Sequence, residues 1–298
     1  MSGTKTSVQV DGVRLTLSNL DKVLYPRHGF TKGEVIDYYA RIGPVILPHL
    51  KDRPATRLRY PDGVKGQAFF EKNAPSHTPD WVRTARLPTP GGSREAVNFV
   101  VIDGLPALVW CANLAALELH VPQWRVGPRG GAHEPDLLVF DLDPGPPAGV
   151  DEAREVACLL RDLLDSDGLR SFPKTSGKKG LHLYVPIEET SDARTSAYAR
   201  EAARRLEKER PRLVVSRMEK RLRSGKVFVD WSQNNRHKTT VAPYSLRAAE
   251  EPSVSTPVTW DEVESDAELR FGPDDVLERA DRHGDLLEPL LTLRQKLR

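Results

Sequence analysis

The stretch Leu137-Leu138-Val139-Phe140-Asp141-Leu142-Asp143-Pro144-Gly145-Pro146-Pro147 decides how this chain is read. A short apolar run ends in two aspartates, and Pro-Gly-Pro-Pro then stops regular structure. Side chains alternate along a strand, so Asp141 and Asp143 leave on the same face. Two carboxylates a few ångströms apart repel, and one takes up a proton unless a cation lies between them. Hard oxygen donors on one face suit Mg²⁺ or Mn²⁺ rather than zinc. A bare Asp-x-Asp at a strand end is more often a pair of solvated acids, and other residues must overturn that reading.

They come further along. Val227-Phe228-Val229-Asp230-Trp231-Ser232-Gln233-Asn234-Asn235 repeats the design, an apolar strand ending in an acid. Asp230 is the third carboxylate that a two-metal site needs. Between the two strands, Thr175-Ser176-Gly177-Lys178-Lys179-Gly180 leads into Leu181-His182-Leu183-Tyr184-Val185. A Ser/Gly/Lys turn before a strand offers N–H groups and ammoniums to a triphosphate. It is not a Walker A loop, because the G-x-x-x-x-G-K-[ST] spacing and the helix after it are missing.

Toward the N-terminus, Val8 to Leu17 alternates around Asp11-Gly12 as a hairpin does. Thr31-Lys32-Gly33-Glu34 forms a capping box, and Val35, Ile36, Tyr38, Tyr39 and Ile42 continue as an amphipathic helix. A lysine in a first helical turn opposes the dipole unless an anion is near, so Lys22 and Lys32 are candidates to hold a phosphate. The plainer reading is two surface lysines. Arg57 and Arg59 share a strand face, and Phe69-Phe70 nearby suits stacking on bases, although core packing is the commoner fate of such a pair. Asn98 to Ile102 reads as a buried strand, and Leu105 to Leu119 as a helix that delivers His120. The Gly/Pro-rich stretch Gly127 to Pro135 reads as a loop joining two modules. Helices are expected over Asp151–Leu164, capped by Asp151, and over Ser191–Glu209. The division expected is an N-terminal module over 1–130, a catalytic module over 131–250 and a peripheral packing segment over 251–298.

The net charge of +2 hides an asymmetry. Residues 249–298 hold 13 Asp/Glu against 6 Lys/Arg, a net of −7, which leaves +9 on residues 1–248. A basic body permits a polyanionic partner. No basic-then-apolar leader opens the chain and no apolar run of membrane-spanning length occurs, so a cytoplasmic location and no membrane partner are expected. Cys111 and Cys158 lie in apolar or helical patterns and read as buried thiols.

The blocks Asp-Leu-Asp at 141–143, Ser-Gly-Lys-Lys-Gly-Leu-His at 176–182 and Val-Asp-Trp-Ser-Gln-Asn at 229–234 resemble one family. It is the polymerase domain of bacterial ligase D, within the archaeo-eukaryotic primase superfamily. The likeness runs from about Leu17 through Arg247. It implies an α+β primase-polymerase fold, an N-terminal αβ module packed on an RRM-like module with the active site in the cleft between them. It implies two divalent ions, Mn²⁺ or Mg²⁺, on Asp141, Asp143 and Asp230. Ser176, Lys179 and His182 would grip the triphosphate, with Arg223 and Arg247 adding charge. Phe69 and Phe70 would stack near the incoming nucleotide and template, and His120 and Gln233 would sit near the sugar or metal. Asn19, Lys22 and Lys32 match the family's pocket for a 5′-phosphate beyond a gap. The implied work is template-directed filling of short gaps at double-strand breaks in end joining, preferring NTPs over dNTPs. A Ku protein and a DNA ligase would be partners, and the protein would be associated with the nucleoid. No ligase or phosphoesterase module is recognisable, so a stand-alone polymerase or a piece of a longer chain is expected.

Two other readings compete. In a phosphatase of the haloacid dehalogenase type, Asp-x-Asp also ends a strand, but a Thr or Val follows two residues after the second Asp. Here that residue is Gly145, and Asp230 would have no role. A non-catalytic nucleic-acid-binding module would explain the basic body, but three acids facing a polyanion are a poor arrangement unless cations bridge them.

Overall fold

The strand that ends in the two acids spans Leu137–Pro144 and is the middle strand of five. The computed structural model describes residues 5–88 and 96–297. Across this sheet the order is Phe172–Thr175, Leu181–Pro186, Leu137–Pro144, Val227–Asp230, Val214–Val215. Only the last pair is parallel. Period-two alternation sorts the central strand: Leu138, Phe140 and Leu142 pack against the helices Val150–Ser166 and Asp192–Glu209. Leu137 and Val139 belong to the opposite face, packed with Tyr184, Leu287 and Leu290. Asp141 and Asp143 share that second face, away from both helices.

A second, six-stranded sheet comes mostly from the N-terminal half. Its order is Thr240–Val241, Ala116–Val121, Pro54–Arg59, Ala96–Val101, Thr84–Pro88, with Phe69–Glu71 also paired to Pro54–Arg59. The helices Lys32–Leu50 and Leu105–Asn113 cover it in one apolar core. That core also takes Ala242, Tyr244, Leu246 and Val254 from the far end of the chain. The first helix opens as its capping box requires: Thr31 accepts from the Glu34 amide and the Glu34 carboxylate accepts from the Thr31 amide.

The α+β class expected from the sequence is present, and three local expectations are corrected. The helix begun at Leu105 stops at Asn113, and Ala116–Val121 is a strand. The break is a tight turn in which Ala115 takes φ +57°, a left-handed conformation not signalled by any Gly or Pro. Within Gly127 to Pro135, Ala132–Pro135 pairs with Trp124–Val126 as a short hairpin. The helix Val150–Ser166 starts one residue early on Gly149, whose amide donates to Glu152, so Asp151 is not its cap. Cys111 is buried and Cys158 half-buried, both as free thiols. No helix among the described residues is long and apolar enough to cross a membrane.

Candidate active site

Strand register sets the site. Asp141 pairs with His182 on one side and with Asp230 on the other, and His182 in turn pairs with Lys174. Directly opposed residues in antiparallel strands share a face. One rung therefore carries Lys174, His182, Asp141 and Asp230 in a row across four strands. His182 Nε2 lies 3.3 Å from Asp141 Oδ1. Asp143 stands one rung along, opposite Phe228, with Arg223 Nη1 3.5 Å from its Oδ2.

The charges in this row are uneven. Burial works against the ionisation of Asp141, but His182, Lys174 and Arg247 outweigh it and hold the carboxyl below its usual range. Burial, together with repulsion from Asp141 and Asp230, raises Asp143 despite Arg223 and Lys179. His182 is pushed down to about 4 by burial and by Lys174, against the pull of Asp141, so the ring is neutral near pH 7. Lys174 is fully buried, donates to Ser255 Oγ, and is pushed far below its ordinary value by burial and by Arg247. Asp230 is oriented from behind: Ser232 N and Oγ donate to its Oδ1 and Gln233 Nε2 to its Oδ2.

In front of the row lies a cavity of about 410 Å³ between the two sheets. Asp141, Asp143, Ser176, Lys179, His182, Gln233, Arg247 and His120 all line it. The turn before His182 is tighter than its sequence suggests. Ser176 Oγ accepts from the amides of Lys178 and Gly180, so those two N–H groups face the turn and not a ligand. The Ser176 hydroxyl keeps its proton to donate outward. Gly177 has φ +71°, and a Cβ there would meet Arg247 Cγ at 2.5 Å, so only glycine lets the turn close on the arginine stem.

Glu118 was not among the residues singled out from the sequence. It lies in the apolar strand Ala116–Val121 and faces the cleft's cations. Its Oε2 is 2.8 Å from His120 Nε2 and 3.5 Å from Arg247 Nε, and its Oε1 is 3.6 Å from Lys178 Nζ. Burial opposes its ionisation, yet His120, Arg247 and Lys178 hold it down to about 2. The available signal was Glu118 two residues before His120, on one face of an otherwise apolar strand.

Asp230 and the remaining candidates are not among the residues that line this cavity. Arg223 lies over Phe228 at 3.7 Å and is committed to Asp143 and the Met218 carbonyl. Phe69 and Phe70 are 39% and 57% exposed on their short strand, so they are not core residues. The neighbouring arginines are already engaged: Arg57 is buried over Trp110 and donates to the Asn73 carbonyl, and Arg59 pairs with Glu71. Asn19, Lys22 and Lys32 meet around the start of the first helix. Asn19 has φ +55°, and its carbonyl accepts from the Lys22 amide. Lys22 reaches Asp62 at 2.8 Å, and Lys32 Nζ donates to the Ser18 carbonyl. The first-turn amides of Lys32, Gly33 and Glu34 are already taken by Lys22 O, Leu20 O and Thr31 Oγ1, so an anion here meets side chains rather than the helix end.

Carboxylates on one wall of a cleft, with a hydroxyl and cations beside them, are the groups that metal-assisted transfer of a phosphoryl or nucleotidyl group uses. A family profile described as "LigD, primase-polymerase domain" matches residues 31–287. The chain belongs to that family. It is 48% identical over 283 residues to the multifunctional non-homologous end joining DNA repair protein LigD of Mycobacterium tuberculosis H37Rv, covering 93% of this chain and 37% of the relative. It is 33% identical over 274 residues to the bifunctional end joining protein LigD of Bacillus subtilis, covering 91% of this chain and 43% of the relative. The chain thus spans well under half the length of these relatives. Among solved structures, the polymerase domain from Mycobacterium tuberculosis ligase D in complex with DNA superposes with a TM-score of 0.89 at 48% identity, covering 93% of this chain and 98% of that one.

Proposed function

We propose that the chain fills short gaps at DNA double-strand breaks in non-homologous end joining, adding nucleotides to a primer 3′-hydroxyl as a template directs. The observation that carries this reading is the rung His182–Asp141–Asp230 with Asp143 beside it, of which His182, Asp141 and Asp143 open on a cation-lined cavity. The relatives' names place LigD in end joining, and the solved neighbour is a polymerase domain bound to DNA.

The donor set fits divalent ions. It is all hard oxygen, and Asp143 is raised first by burial and then by repulsion from Asp141 and Asp230, the part that a cation between the acids would relieve. Among the described residues no three His, Cys, Asp or Glu side chains form a ready-made metal cage, so the acids would draw in on binding. Asp141, Asp143 and Asp230 would hold two ions, Mn²⁺ or Mg²⁺. Such ions would supply Lewis acidity to the primer hydroxyl and positive charge for the leaving pyrophosphate. Ser232 and Gln233 hold Asp230 in place. The Ser176 hydroxyl, Lys179, Arg247 and the neutral His182 bind the triphosphate and orient it toward the acids. Phe69 and Phe70 offer exposed stacking surfaces for bases. Asn19, Lys22 and Lys32 take the 5′-phosphate across the gap. NTPs are the preferred substrates, and a Ku protein and a DNA ligase are the partners, the protein acting at the nucleoid.

The test is primer extension across a short gap with Mn²⁺, comparing NTPs with dNTPs, with and without a downstream 5′-phosphate. Extension that favours NTPs and depends on the phosphate is expected. Well-folded protein that binds the gap without extending it would leave a binding module instead.

A further inference from the structure

Lys178 and Arg247 bring positive charge to the cleft from different parts of the chain. Lys178 sits in the turn of the five-stranded sheet, and Arg247 follows the strand that closes the six-stranded one. A single carboxylate stands behind both. Glu118 is only 2% exposed at its side chain, and its two oxygens divide the work. Oε1 accepts from the Ala248 amide, next to Arg247, and lies toward Lys178. Oε2 faces the His120 ring and Arg247 Nε. That Nε has no hydrogen-bond partner among the described residues, and Glu118 is the one carboxylate there within ion-pair distance of the guanidinium. On the other side, Gly177 allows the Arg247 stem to be boxed in at Cγ. Drawn by charge toward Glu118 at the inner nitrogen and confined at the stem, the guanidinium can turn its terminal fork to a ligand.

We propose that Glu118 is a positioning residue for the incoming nucleotide, fixing Arg247 so that its terminal fork meets the triphosphate. The inference rests on the nucleotide reading of the cleft. It also has a sign that simple electrostatics would reverse. Glu118 is an anion beside an anion-binding site, so its charge alone repels triphosphate, and neutralising it would tighten binding. A positioning role predicts the opposite, because an arginine without its anchor pays orientation entropy on binding.

The test is titration of the intact chain with ATP in the presence of Mn²⁺, together with a thermal melt. Glu118→Gln keeps the shape and an oxygen for the Ala248 amide but loses the charge. Its ATP affinity is expected to fall about tenfold with Tm nearly unchanged, and Glu118→Asp to fall between it and the wild type. In an Arg247→Ala background, Glu118→Gln is expected to change affinity less than about twofold, as coupled residues do. ATP affinity within twofold of the wild type, tighter binding, or the same loss with and without Arg247 would overturn the proposal. If the Gln variant does not fold, Glu118→Asp takes its place in the same cycle, with a few-fold loss expected, and wild-type affinity would overturn the proposal. A wild-type chain that binds no ATP would instead bring down the nucleotide reading itself.

Discussion

Asp141 is flanked in the same rung by a histidine and a second aspartate, so register fixes its neighbours on both sides. Asp230 completes the carboxylate set at a strand end, half-buried and already hydrogen-bonded by Ser232 and Gln233. Asp230→Ala is expected to reduce primer extension by at least about 10³-fold while leaving the circular dichroism spectrum intact, as for removal of a group holding the reacting charges. Retained extension would take Asp230 out of the catalytic set. Phe70, at 57% exposure, supports no core. Phe70→Ala should therefore cost no more than about 0.5 kcal/mol of stability, as surface changes do, yet weaken use of a template strand in gap filling. A drop in denaturation midpoint without a defect in template use would return it to a packing role. Most of these residues were legible because acids ending apolar strands, and a Ser/Gly/Lys turn, are local patterns. Glu118 was not, because its partners lie 60 and 129 positions away at Lys178 and Arg247, and alone it reads only as a break in an apolar run.

At the scale of elements, the start of the first helix shows how a strong local signal can mislead about its use. The capping box is present as read, but it and the preceding turn consume the first-turn amides, so phosphate binding falls to the side chains. Burial, with repulsion from Lys22 and Arg59, pushes Lys32 down to about 8. Below that pH the ammonium is charged and ready for a phosphate; above it the free protein must first take up a proton. Affinity for a 5′-phosphorylated gap should therefore fall as pH rises past 8, by up to about tenfold per unit, with no such fall on a gap lacking the phosphate. A flat profile on phosphorylated gaps would remove Lys32 from the pocket. Lys22→Ala should weaken the phosphorylated gap selectively by about 1–3 kcal/mol, the worth of a charge-assisted hydrogen bond. Equal losses on both gaps would reassign Lys22 to general attraction for DNA. The Leu105 helix is the contrary case. Its apolar run continued past Asn113 without a breaker, and only a left-handed Ala115 turns it into the strand that carries Glu118 and His120.

Across the whole molecule, the acidic end of the chain is tied in by more than apolar contact. Asp285 accepts from Tyr244 Oη and the Leu287 amide and lies 2.8 Å from His49 Nε2, joining the tail to the first helix. Burial opposes its ionisation, but His49, Tyr244 and the amide outweigh it and lower its pKa. A carboxylate depressed on folding adds stability above the unfolded value of about 3.9 and loses it as pH falls through the folded value. Asp285→Asn should cost about 1–3 kcal/mol near pH 7 by chemical denaturation, with the gap to the wild type narrowing below pH 4. A gap that persists in acid would assign the loss to packing. The two acid-bearing strands and the helices over Lys32–Leu50, Val150–Ser166 and Asp192–Glu209 were readable from local pattern, whereas the routing of the chain between sheets was not.

That routing has a consequence. Having delivered Asp230, the chain crosses over, and Thr240–Val241 hydrogen-bonds to Ala116–Val121 while Tyr244 and Leu246 fill the core beneath. The two halves are laced together like a boot, and the lace passes through the active site. A polypeptide cut near residue 130 would leave its first piece with a bare sheet edge and holes in its interior, prone to stick to itself. Expressed together, the two pieces should find each other and regain the proposed gap filling only as a reassembled pair, so the fold carries the makings of a split reporter for its own assembly.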